Sequence, residues 1–77
     1  MIINFQSGAE LTVSPTQKNT TALNEISLFG MMICDEIQRL GLNLSDNNEV
    51  LKWTYKHLRE ISDTIYHALD EEGVYGN

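Results

Sequence analysis

The chain has 77 residues, of which 42% are hydrophobic, and its eleven acids against five bases give a formal charge of -6. This length allows one small domain over 1–77 and leaves no room for a catalytic domain beside a regulatory one. The acidity repels phosphate backbones and argues against a nucleic-acid-binding module, and a single cysteine excludes an internal disulfide. No run of about eighteen apolar residues suggests a membrane span, and no basic-then-apolar start suggests a signal peptide. A cytoplasmic protein with no membrane contact is expected.

Met1–Ser14 reads as a β-hairpin. Ile2-Ile3-Asn4-Phe5 and Leu11-Thr12-Val13 are β-rich, and Gly8 lies in the stretch that must reverse the chain. Two strands alone are marginal in water, so Ile3, Phe5, Leu11 and Val13 are expected to dock the hairpin on something else.

A first helix follows to Leu40. Ser14-Pro15-Thr16-Gln17 offers a serine cap with proline at the first helical position, and a start at 19–21 is the alternative, because Lys18–Thr21 is a poor helix former. Gly41 is the expected stop, and Leu42 and Leu44 of the connector are expected to pack inward. A second helix over 45–72 is capped by Ser45 or Asp46 and ends at Gly73 in a left-handed turn. Residues 73–77 form a tail, frayed or docked through Tyr75. The expected fold is α+β and mainly α, a short N-terminal β-hairpin followed by an antiparallel two-helix hairpin that self-associates into a helical bundle.

The spacing of large apolar residues predicts a core stripe of Leu23, Ile26, Gly30, Ile33, Ile37 and Leu40 on the first helix, with Phe29 beside it. A bulky side chain from the second helix is expected to fill the space at Gly30. Leu28, Met31 and Met32 fall on roughly the opposite side among polar residues. They suggest either a surface covered by the β-hairpin or an interface with another chain, a homo-oligomer above all. The second helix shows a stripe of Val50, Leu51, Thr54, Leu58, Ile61, Ile65, Ala68 and Leu69, with Tyr55 and Tyr66 at one edge.

A second seam on that helix runs through Trp53, His57, Glu60, Thr64, His67 and Glu71, at alternating spacings of four and three. It reads as a solvated edge or as a recognition surface with Trp53 as aromatic anchor and histidines and carboxylates as rim. His67 with Glu60 and Glu71 is sterically compatible with a metal ion, but no His-x-x-x-His pair supports one, and no metal or cofactor is expected. Acidity is uneven along the chain. Residues 35–77 carry nine acids and four bases, whereas 1–34 carry two acids and one base. Asp70, Glu71 and Glu72 stand at a helix C-terminus, where negative charge opposes the macrodipole, so helix stability does not explain them.

Catalytic motifs are missing. The sequence holds no phosphate loop, nucleophile elbow, CxxC pair or metalloprotease motif, and Cys34 lies beside Asp35 and Glu36, which raise a thiol pKa. The chain is therefore expected to be no enzyme. In size, charge and architecture it resembles the small acidic proteins with which bacteriophages and mobile elements inhibit or redirect a host protein, although no motif carries that resemblance. The expected function is a protein-binding module that occludes a basic functional site on a host protein. Its contacts would be Trp53, His57, Glu60, His67, Asp70, Glu71 and Glu72, and its self-association would run through Leu28, Met31 and Met32. The alternative is a receptor or sponge for a nucleotide-like ligand, with Phe29, Trp53, Tyr55 and Tyr66 stacking on a ring in pockets between subunits.

Overall fold

Strand β1 (Ile2–Asn4) turns through Gln6-Ser7-Gly8 into β2 (Glu10–Thr12), and the two pair antiparallel with Ile3 opposite Leu11. Gly8 has φ +92, the left-handed conformation that a three-residue hairpin loop demands at that position. The loop is closed by the Phe5 amide on the Ala9 carbonyl, 2.9 Å, and the Gly8 amide on the Phe5 carbonyl, 3.0 Å. Two helices follow, α1 (Gln17–Arg39) and α2 (Glu49–Glu71). The computed structural model describes residues 1–40 and 49–76. The expected stop at Gly41, the packing of Leu42 and Leu44, the Ser45 or Asp46 cap and Asn77 lie outside the described residues.

The hairpin, the helices and their antiparallel packing agree with the expectation from sequence. The cap of α1 does not. Thr16, neither Ser14 nor a residue in 19–21, is the N-cap: its hydroxyl accepts from the Asn19 amide at 3.2 Å. The Ser14 carbonyl instead takes the Thr16 amide and the Asn19 side chain, at 2.8 and 2.9 Å, and so holds the segment before the helix. At the other end of the chain, Gly73 at φ +79 terminates α2. Its amide reaches the Asp70 carbonyl and that of Val74 reaches Leu69, which satisfies the last carbonyls of the helix. The tail is docked: the Tyr75 ring stacks on Tyr66 with centroids 4.9 Å apart, and its hydroxyl donates to Asn24 of α1.

The largest correction concerns the phase of α1. Its buried residues are Thr20, Leu23, Ser27, Gly30, Cys34 and Ile37, whereas Ile26, Phe29, Ile33 and Leu40 are exposed. Small side chains cause the rotation. Ser27, Gly30 and Cys34 face Ser62 and Tyr55 of α2, so the backbones approach more closely than a seam of isoleucines would allow. A Cβ built on Gly30 would lie 1.9 Å from Ser62 Oγ, so the residue that fills the glycine gap is a serine, not a bulky side chain. On α2 the buried residues are Ser62, Ile65 and Leu69. Val50 and Ile61, placed in the core from their spacing, are exposed.

The β-hairpin packs on α2 through β1. Ile3 is almost fully buried with Leu23, Ile65 and Leu69, while Met1, Phe5, Val13 and Ala68 close around them. Leu11 was expected to join this contact and is exposed instead, because the hairpin leans on the helix with its first strand and not its second. The hairpin therefore leaves Leu28 and Met32 uncovered at the surface, with Met31 half-buried.

Candidate functional site

A cleft of about 450 Å³ opens between the hairpin turn and α2. Its walls are Phe5, Gln6, Ser7 and Ala9 on one side and Lys56, His57, Glu60, Ile61 and Thr64 on the other. The position follows from the packing just described. Anchoring β1 by Ile3 against Ile65 and Leu69 carries the turn out over the preceding turns of α2, where no large side chain fills the gap.

Three members of the Trp53 seam, His57, Glu60 and Thr64, line this cleft. His57 Nδ1 stands 3.9 Å from Glu60 Oε2. With its amide nitrogen turned toward α2, Gln6 donates to the same carboxylate at 3.3 Å, tying the turn to the helix. Trp53 does not line the cleft but lies one turn before His57, their rings 4.4 Å apart and tilted by 53°, and is 65% exposed. A large aromatic left this open beside a lining residue is an exposed apolar feature next to the cleft.

The other half of the seam faces a smaller hollow of about 330 Å³. It lies along β1 and is lined by Ile3, Asn4, Thr64, His67, Ala68 and Glu71. His67 and Glu71 are thus separated from His57 and Glu60 by Thr64, which borders both hollows. Asp70 and Glu72 are exposed at the end of α2 and line neither. Among the described residues no three of His, Cys, Asp and Glu come together to hold a metal.

The seam read from sequence contributes His57, Glu60 and Thr64 to the helical wall of the cleft, but not Lys56 or Ile61, and nothing in it points to the opposite wall. Phe5, Gln6, Ser7 and Ala9 enter it only because the hairpin docks by β1, which no local pattern specifies. Ile61 was placed in the core, and it is the apolar floor of the cleft instead. Cys34 is remote from the site: it is buried between the helices, with Sγ 3.6 Å from the Tyr55 carbonyl. Its thiol pKa is raised, first by burial and only secondarily by Asp35 and Asp63, with Arg59 opposing. The direction agrees with the reading from sequence, but the leading cause is desolvation.

Compared with known proteins, the chain matches no family, no curated sequence and no solved structure.

Proposed function

We propose that this chain is a non-enzymatic protein-binding module, an inhibitor or adaptor that docks on a basic surface of its partner. The observation that carries the reading is the cleft between the hairpin turn and α2, with an apolar floor of Phe5, Ala9 and Ile61 and the Glu60 carboxylate on its wall. Such a site suits a long side chain with an aliphatic stem and a cationic head. The stem of a lysine or arginine would pack on Phe5 and Ile61 while its head pairs with Glu60. Trp53, packed beside His57, would act as the aromatic anchor, and the net charge of -6 would favour encounter with a basic partner. Asp70, Glu71 and Glu72 would extend the acidic contact toward the end of α2. The mechanism is occlusion: the module covers a basic functional site and catalyses nothing.

The test is retention of peptides that differ only in a central residue. Lysine- and arginine-centred peptides should bind the wild type and lose at least tenfold in affinity with Glu60→Gln, while Trp53→Ala should weaken all of them. Equal binding of glutamate-centred peptides, or no effect of either substitution in a folded protein, would overturn the reading.

A second reading, a receptor for a small ring-containing ligand, is favoured by one observation. The volume of the cleft falls within the range of small-molecule sites, and Phe5 and His57 offer rings for stacking. Lys56 is the one lysine or arginine among the lining residues, which disfavours a polyphosphate. A rise in melting temperature with nucleosides, and none with basic peptides, would select this alternative.

A further inference from the structure

The hairpin covers only one end of the helical pair. On the same side of the two helices, α1 presents Ile26, Phe29, Ile33 and Leu40 and α2 presents Val50 and Ile61, the last of which also lines the cleft. All six are between 40% and 73% exposed. That they share a side follows from helix geometry. At 100° per residue the four α1 residues form a stripe next to the buried Gly30–Cys34–Ile37 row, and Val50 and Ile61 are three turns apart on α2. Antiparallel packing brings these stripes to one face. The opposite face carries the polar links between the helices, Gln38 to Tyr55 at 2.6 Å and Tyr75 to Asn24.

We propose that this face is the interface of a homodimer, in which a second copy of the chain lays the same two helices against it to form a four-helix bundle. The inference does not rest on what fills the cleft, although the two surfaces share Ile61.

Three observations select a second copy as the occupant. The first is area. On a scale of about 200 Å² for a fully exposed large apolar side chain, the six present about 650 Å². That exceeds the ordinary apolar patch of a monomer and approaches the roughly 800 Å² per partner of a standard interface. The second is charge. A chain of net charge -6 repels its own copy least where acids are absent, and none of the six residues of this face is charged. Two acids of α1 border it, Glu25 one turn before Phe29 and Glu36 two turns after it, and Glu36 is paired with Arg39 at 2.7 Å. A basic partner would find nothing to pair with here, whereas a twofold-related copy meets a neutral, self-complementary surface. The third is the size of the core. Among the described residues the buried hydrophobic ones are Ile3, Leu23, Cys34, Ile37, Ile65 and Leu69, a small core that joining two such layers would enlarge.

The experiment is sedimentation equilibrium combined with circular dichroism. The wild type should sediment at twice the 8.7 kDa of the chain. Phe29→Glu should return it to a single chain with its helicity retained, because residue 29 is exposed within one copy. Phe29→Ala and Ile33→Ala keep good helix formers in place and should weaken the association at least tenfold. Leu28→Glu, on the other side of α1, should leave the dimer intact. A wild type that stays monomeric at about 1 mM overturns the proposal, including the case where it is found with a different protein bound. A dimer unmoved by the Phe29 and Ile33 substitutions also overturns it, and loss with Leu28→Glu alone would transfer the interface to Leu28, Met31 and Met32.

Discussion

Ser27 Oγ donates to the main-chain carbonyl of Ser62 at 2.9 Å, joining α1 to α2 across 35 residues. One turn further along α1, the Ser62 hydroxyl is pressed into the gap left by Gly30, where it is buried and has no hydrogen-bond partner among the described residues. A buried, unpaired hydroxyl is costly, so its tolerance here measures the worth of bringing the two backbones together.

The first prediction concerns that gap. Gly30→Ala adds a methyl that collides with Ser62 Oγ, and once the hydroxyl turns aside the Ser62 Cβ at 3.3 Å still demands a small helix shift. Ser62→Ala removes the collision and the unpaired hydroxyl together. The double variant should therefore be at least about 1 kcal/mol more stable than the sum of the two single changes implies. Gly30→Leu should cost more than about 2 kcal/mol in either background, because no rotamer can avoid α2. Urea denaturation of the four variants decides; strict additivity would mean that the helices do not meet here.

A second prediction follows from Cys34. Burial holds its thiol pKa above the ordinary value, so the unfolded chain releases that proton first. Stability is at its full value below the ordinary thiol range and declines as pH rises above about 8.5, through the raised folded value. Denaturation midpoints should fall between about pH 8 and pH 10, with a shallower fall in Cys34→Ala. Alkylation by iodoacetamide should be slow in the folded protein and fast in urea. Rapid alkylation under native conditions would place Cys34 at the surface.

The docked tail supplies a third. Tyr75→Ala loses the stack on Tyr66 and the hydrogen bond to Asn24, and should cost about 0.5–1.5 kcal/mol in a partly exposed setting. Tyr75→Phe, which keeps the ring, should retain most of that stability. Equal effects from both substitutions would mean that the hydroxyl and not the ring holds the tail.

The fourth links fold to site. Ile3→Ala should cost about 2–4 kcal/mol, because Ile3 is 1% exposed and anchors the hairpin against Ile65 and Leu69. Since that anchor also sets one wall of the cleft, peptide binding should fall while helicity persists. Hydrogen exchange would show the amides of Phe5 and Gly8 losing protection before those of α1.

Local pattern was enough for every element and failed for the faces. Gly8 and Gly73 announced their left-handed turns, and the apolar spacings announced two helices, because turn chemistry and helical period are written within a few residues. The phase of α1 was not legible. Periodicity weights large side chains, so it chose Ile26, Ile33 and Leu40, whereas packing is decided by how closely two backbones can approach, and Ser27, Gly30, Cys34 and Ser62 permit the nearest contact. Likewise the sequence placed His57, Glu60 and Thr64 on one helical seam, but only the docking of β1 through Ile3 brought Phe5, Gln6 and Ala9 across from them. Residue type and spacing determined which elements form and where α2 ends. The burial of Ile3, the small-residue seam and the apolar face left open beside it were decided by tertiary contacts between segments far apart in the chain.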